Sequence, residues 1–387
     1  MSVSKDVKNF FSRLSKVVGE GQVSLHEPKF LNTDKAYLDA CIDENFVSSV
    51  GRFVQEFEDT LQVWTGAKRV VVVSSGTAAL HALMHVHGIG YDDEVLVPSL
   101  TFVATANSVA MCGATPHFVD VENHTLGIDP EKLDKYLGNI LLPSKKGALN
   151  KITRKNMRAI VCMHTFGFAC QLESLVKVAK KYNLLLIEDA AEALGTRYLN
   201  KHVGTFADGG VLSFNGNKIL TTGGGGAILL NNEELAQKAK HITTTGKVPH
   251  PWKFFHDVFA FNYRMPNLNA ALGMAQMSRL SSILDKKRTL ASRFFEAFSN
   301  FDIGQMHKES ANSYANYWLN TFLLHKPDPQ FLEKILIEAH EKKIGIRPVW
   351  ELLHTLPHFR ECPRGDLAAS SELAQRILCL PSSPQIL

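Results

Sequence analysis

The sequence predicts an α/β protein: a large domain with a mostly parallel, seven-stranded sheet covered by helices, then a smaller C-terminal α+β domain. Three observations carry this. Seven short apolar, β-rich runs recur at residues 70–74, 95–98, 117–121, 159–163, 184–187, 211–214 and 227–230. Helical patterns, such as those at 78–87 and 172–182, separate several of them. The runs are continuously apolar rather than alternating, which is the pattern of strands buried on both faces by crossover helices.

After the last run, a charged helical stretch at 277–298 leads out of the large domain. Beyond it, 317–324 and 345–349 read as strands, and 329–342 and 370–378 as helices. The expected division is 1–287, an N-terminal helix segment with the large domain, and 288–387, the small domain. At the N-terminus Val7, Phe10, Phe11, Leu14, Val17 and Val18 recur at helical spacing. That stripe reads as a docking face for the rest of the protein.

Composition narrows the function classes. The 387 residues are 45% hydrophobic and 21% charged, an ordinary globular balance. A net charge of +4, with no Lys/Arg block, argues against nucleic acid as a partner. No apolar run reaches membrane-span length, and the N-terminus lacks a signal-peptide core, so no membrane partner is expected. The six cysteines form no CxxC pair and sit among apolar neighbours, which reads as reduced thiols in the cytoplasm. His81, His85 and His87 have no acidic or cysteine partner at zinc-site spacing, so no metal is expected.

In open α/β sheets ligands bind beyond the carboxyl ends of strands, and three such places stand out. Ser75-Gly76-Thr77-Ala78 follows a strand and opens a helix. Free N–H groups at a helix start attract anions, and glycine permits close backbone approach. This reads either as a phosphate site or as a plain strand–helix turn. Glu188-Asp189 ends a buried strand, and period two sends the two carboxylates to opposite sides, so one of them faces a ligand. The alternative is a helix cap. Ser213-Phe214-Asn215-Gly216-Asn217-Lys218 follows another strand and precedes four glycines, Gly223 to Gly226. A lysine held there becomes nucleophilic if its pKa falls by desolvation; the alternative is a solvated loop lysine.

Taken in order, these motifs resemble the sugar aminotransferases of the DegT/DnrJ/EryC1/StrS family, which have the type I pyridoxal-phosphate-dependent transferase fold. The segments Pro98-Ser-Leu-Thr-Phe-Val-Ala-Thr-Ala-Asn107, Gly113-Ala-Thr-Pro-His-Phe-Val-Asp120 and Asn262-Tyr-Arg-Met-Pro-Asn-Leu-Asn-Ala-Ala-Leu-Gly273 extend the likeness over nearly the whole chain. The resemblance implies pyridoxal 5'-phosphate as cofactor, joined covalently to Lys218. Asp189 would pair with the ring nitrogen, and Gly76, Thr77 and Ser213 would hold the phosphate. Phe102 would stack on the ring, and Glu192 would approach the ring hydroxyl, at a position where many relatives have Gln. Asn262 would reach the phosphate of a neighbouring subunit, which implies a homodimer with shared active sites. Relatives with histidine at the position of Lys218 carry out dehydration, so lysine there favours transamination.

A narrower likeness lies in Leu25-His-Glu-Pro-Lys-Phe30, Phe46-Val-Ser-Ser-Val-Gly51 and Val248-Pro-His-Pro-Trp252. These resemble the branch that aminates a UDP-linked 2-acetamido-4-keto-6-deoxy hexose for bacillosamine or legionaminic acid. L-Glutamate is the expected amino donor. Lys247, His250, Lys253 and Arg347 are candidate contacts for the nucleotide diphosphate, or else ordinary surface cations. The alternatives are a GDP-linked keto sugar of the perosamine type and a non-catalytic cofactor-binding regulator.

Overall fold

The computed structural model describes residues 2–144 and 147–387. Seven strands form the central sheet: β1 (Arg69–Val73), β2 (Asp93–Pro98), β3 (Thr115–Val119), β6 (Asn156–Met163), β7 (Leu185–Asp189), β10 (Gly209–Ser213) and β11 (Gly226–Leu230). The intervening β4 (Leu141–Ser144) and β5 (Gly147–Asn150) form a hairpin, and β8 (Arg197–Tyr198) and β9 (Lys201–His202) a second, short one. In space the central order is β1-β11-β10-β7-β6-β2-β3. The pairs from β10 through β7, β6 and β2 to β3 are parallel, while β11 runs antiparallel to both of its neighbours. All seven expected runs are strands of this sheet. The hairpin β4–β5 adds two more, because β5 pairs antiparallel with β6.

Period two divides the strand residues between two cores. Val72, Leu96, Ile160, Leu186, Leu212 and Leu229 belong to one cluster, and Val71, Val95, Val161, Ile187, Val211 and Ile228 to the other. Each strand is therefore buried on both faces, as continuous apolar runs require. The site-forming helix Gly76–Val86 begins where β1 ends. Its cap Ser75 accepts the Ala78 N–H at 3.0 Å.

The C-terminal part contains an antiparallel sheet of β12 (Gly304–Met306), β14 (Asn320–Leu324), β15 (Arg347–Pro348) and β16 (Ile377–Leu380), ordered β12-β14-β16-β15. The two-residue strand β13 (Ser313–Tyr314) pairs instead with β8. Two expectations are corrected here. The stretch 277–298 belongs to two helices, Asn267–Met277 and Leu280–Ala297. The stretch 370–378 is not one helix: Ala368–Leu373 is helical, but Ile377 onward is strand. Pairing with both β14 and β15 decides the state of that short apolar run, whose periodicity is ambiguous by itself.

The N-terminal stripe docks, and it docks onto the C-terminal part of the chain. Val7, Phe10, Phe11, Leu14 and Val17 of helix Ser2–Val18 share a core with Phe294, Phe298, Phe322 and Phe331. Phe10 is fully buried, with ring centroids 5.2 Å from Phe298 and 5.4 Å from Phe322. The helix covers an apolar face of the C-terminal sheet and its helices.

Candidate active site

The carboxyl ends of β7 and β10 and the start of helix Gly76–Val86 enclose a cavity of about 310 Å³. Asp189 ends β7 and lines it, whereas Glu188 faces away. The buried Glu188 accepts the backbone N–H groups of Gly204, Phe206 and Ala207 at 2.6, 2.7 and 3.0 Å, and lies 3.1 Å from His164 Nε2. It is a structural anchor, and Asp189 is the acid of the site. Asp189 accepts from the Thr105 hydroxyl at 2.8 Å and the Ala191 N–H at 3.2 Å. Burial pushes its carboxyl above the ordinary value, opposed by those two hydrogen bonds and by the Lys218 charge.

Two glycines make the anion end possible. A Cβ on Gly76 would lie 2.9 Å from Ser213 Cβ, and one on Gly226 would lie 2.5 Å from the Ser75 carbonyl. Only without those carbons can β10 and β11 pass directly beneath the helix start. Ser75, Gly76, Thr77 and Ser213 thus come together on one wall. The first N–H groups of a helix have no intrahelical partner and favour an anion.

Lys218 rises from a turn closed by its own N–H to the Asn215 carbonyl at 3.0 Å. Its Nζ lies 3.2 Å from Glu192 Oε1 and 4.0 Å from the centroid of the Trp318 ring. Trp318 in turn donates Nε1–H to the Asn217 carbonyl at 2.7 Å, tying the C-terminal part to the lysine turn. Glu192 is buried, and its Oε2 accepts the Phe166 N–H at 2.8 Å. Burial raises its pKa to about 7, against the pull of Lys218 and the Phe166 N–H. Phe102 is about half exposed on the cavity wall and meets Trp350 edge to face, centroids 6.2 Å apart.

Seven of the residues singled out from the sequence, Gly76, Thr77, Phe102, Asp189, Glu192, Ser213 and Lys218, therefore line one cavity. Five others lie outside its walls. Asn262 is exposed, its Oδ1 accepting from Arg264 Nε at 3.0 Å. Lys247 sits 4.2 Å above the Phe254 ring, and His250 Nδ1 accepts the N–H groups of Trp252 and Lys253. Arg347 is exposed and donates to the Ile346 carbonyl at 2.9 Å. The sequence reading missed Thr105, Asn217, Trp318 and Trp350. Thr105 lies within the Pro98–Asn107 motif, four residues past Thr101, and helical spacing could have found it. Trp318 carries no local signal. His81, considered and set aside as a metal ligand, has its Nδ1 3.0 Å from the Tyr263 hydroxyl.

Pyridoxal phosphate fits these residues. The side-chain-free cradle at Gly76 and Gly226, with the Ser213 and Thr77 hydroxyls, suits a phosphate ester. A lysine amine and a buried carboxylate stand across the same cavity. The arrangement defines the site of a type I pyridoxal-phosphate-dependent enzyme. The chain belongs to the DegT/DnrJ/EryC1/StrS aminotransferase family, whose model matches residues 29–387. It is similar to the GDP-perosamine synthases of Escherichia coli O157:H7 and Vibrio cholerae, 34% identical to each over 364 and 363 residues, with 94% of both chains covered in each case. Among solved structures it resembles a DegT DnrJ EryC1 StrS aminotransferase from Brucella abortus (26% identity, 91% of each chain, TM-score 0.82). The fold of Helicobacter pylori PseC, an aminotransferase of pseudoaminic acid biosynthesis, also matches (24% identity, 93% of each chain, TM-score 0.84). The protein is a pyridoxal-phosphate-dependent sugar aminotransferase.

Proposed function

We propose that this enzyme moves an amino group from L-glutamate to the keto carbon of a nucleotide-linked 4-keto-6-deoxy sugar, leaving 2-oxoglutarate. The observation that carries the reading is Lys218 Nζ beside Glu192 in the cavity that Asp189 closes. Bound pyridoxal phosphate supplies the electron-accepting ring. The chain's own residues do the rest. Asp189 would hold a negative charge for the ring nitrogen, Thr77 and Ser213 would hold the phosphate, and Phe102 would cover a ring face. The Lys218 amine would hold the cofactor and, when free, would carry a proton to or from the substrate carbon. Positioned acid–base transfer of this kind contributes roughly 10²–10⁴-fold.

For the carrier, the relatives named GDP-perosamine synthase favour a GDP-linked sugar over the UDP-linked branch expected first. The UDP-linked reading rests on the three segments quoted for it, and of these two keep their weight. The other has a structural duty: the carbonyls of Phe46 and Ser48 accept from Asn267, and a Cβ on Gly51 would lie 2.3 Å from the Asn267 side chain. That segment's pattern is therefore explained by folding. A panel of GDP- and UDP-linked keto sugars, with 2-oxoglutarate release as the readout, separates the two. Release with the GDP sugar supports the first reading and release with the UDP sugar alone supports the second. Release with neither sinks both.

The homodimer and its shared sites belong to the same proposal. Segment 246–262 carries exposed Trp252, Phe254, Phe255 and Phe259 next to Asn262, an apolar surface suited to a second copy. Lys247, His250, Lys253 and Arg347 are proposed as contacts for the nucleotide diphosphate. Among the described residues no helix is long and apolar enough to cross a membrane. The six free cysteines support a reducing, cytoplasmic setting. We keep the division near residue 288, with helix Ser2–Val18 assigned to the C-terminal unit.

A further inference from the structure

The cavity carries an unusual charge balance. Asp189 and Glu192 are both buried in its wall, and among the described residues Lys218 is the only Lys, Arg or His lining it. A phosphate monoester brings about −1.5 to −2 more. If the Lys218 ammonium then lost its proton to solvent, two carboxylates and a phosphate would share a buried space without that cation.

The hydrogen bonds distinguish the two acids. Asp189 has a donor on each oxygen, the Thr105 hydroxyl on Oδ2 and the Ala191 N–H on Oδ1, so it is held as a carboxylate. Glu192 has the Phe166 N–H on Oε2, but on Oε1, among the described residues, only Lys218 Nζ at 3.2 Å. When that amine is no longer an ammonium, Oε1 is left buried without a cationic donor. A buried acceptor in that state is costly, and a proton on Oε1 removes the cost.

We propose that Glu192 takes the proton that leaves the Lys218 ammonium, and that it then works as a neutral acid, a hydrogen-bond donor into the cavity. The step balances internally. One Nζ–H bond breaks, its proton moves to Oε1, and the nitrogen keeps the electron pair, which is then free to add to a carbonyl carbon as the C=O π pair moves onto its oxygen. No charge crosses the cavity wall. The groups facing Glu192 are Lys218, Asp189, the Phe166 N–H and the Cys379 thiol, which burial and the Glu192 charge hold protonated. The value of about 7 for Glu192 puts both of its states within reach near neutrality. In the loaded enzyme a neutral acid and a glutamine amide present the same kind of donor.

This inference rests on the cofactor reading above, and Glu192→Gln tests it without any sugar. In apoprotein carrying ¹³C-labelled glutamate, infrared spectra should show one protonated carboxyl that titrates near 7; the band should be missing from the variant. Uptake of pyridoxal phosphate, followed by visible absorbance, should slow roughly 10²-fold in the variant above that value, where Glu192 is a carboxylate able to take the proton, and the difference should vanish on the acid side, where Glu192 is already protonated. No titrating band in the wild type, or wild-type uptake above that value by a folded variant, would each overturn the proposal. Failure of the wild type to take up the cofactor would instead sink the cofactor reading, which keeps the two outcomes apart.

Discussion

Replacing Asp189 with Asn should separate the stability of this protein from its rate. The side chain is buried, so the change removes a carboxylate without adding a cavity. The amide can satisfy the same neighbours. Its oxygen keeps the Ala191 N–H, and its NH₂ can donate to Thr105, whose hydroxyl turns toward Thr101 Oγ1 at 3.0 Å. The folded-state pKa of Asp189 is raised by burial. For an acid shifted upward, stability is full below the unfolded value and is lost as pH rises through the folded one. The asparagine variant does not titrate, so its apoprotein should melt at or above the wild-type temperature at neutral pH, and the gap should close in acid. The rate moves the other way. An opposite charge about 4 Å from the ring nitrogen, at an effective dielectric of about 20, is worth about 4 kcal/mol. Loss of one pre-organised electrostatic contact typically costs roughly 10²–10³-fold. Paired melting curves and 2-oxoglutarate release measure both effects. An unchanged rate would show that Asp189 only caps the turn at Ala191, and a clear drop in neutral-pH stability would refute the hydrogen-bond exchange.

Lys218→Ala should abolish turnover and the visible absorbance of bound cofactor while the protein stays folded; normal turnover would end the catalytic assignment. Mixing Lys218→Ala with Asn262→Asp should restore about a quarter of wild-type sites, since half the dimers are mixed and each then has one intact site. Demonstrated subunit exchange with no returning activity would confine Asn262 to its own chain. Phe10→Ala should lower stability by about 3–5 kcal/mol, because the ring is fully buried among Phe298, Phe322 and Phe331. Chemical denaturation measures this, and a loss below about 1 kcal/mol would mean that helix Ser2–Val18 contributes little to the core.

Much of this protein is local and therefore written along the chain. Continuous apolar runs between helical patterns determine the seven main strands, since strands buried on both faces need apolar residues on both. Motifs at strand ends carry Gly76, Asp189, Ser213 and Lys218 into one cavity, because parallel strands deliver their carboxyl ends to one side of a sheet. Period two also indicated that just one of Glu188 and Asp189 would face it. Other features depend on partners far along the chain. Ile377–Leu380 becomes a strand because β14 and β15 lie on either side of it. The N-terminal helix carries an apolar face, but only the packed core around Phe294, Phe322 and Phe331 shows where that face goes. Trp318 reaches the Lys218 amine from a hundred residues away, and no local pattern marks it. The protonation partnership of Glu192 follows from which donors fold onto each of its oxygens, and the tertiary structure alone determines that.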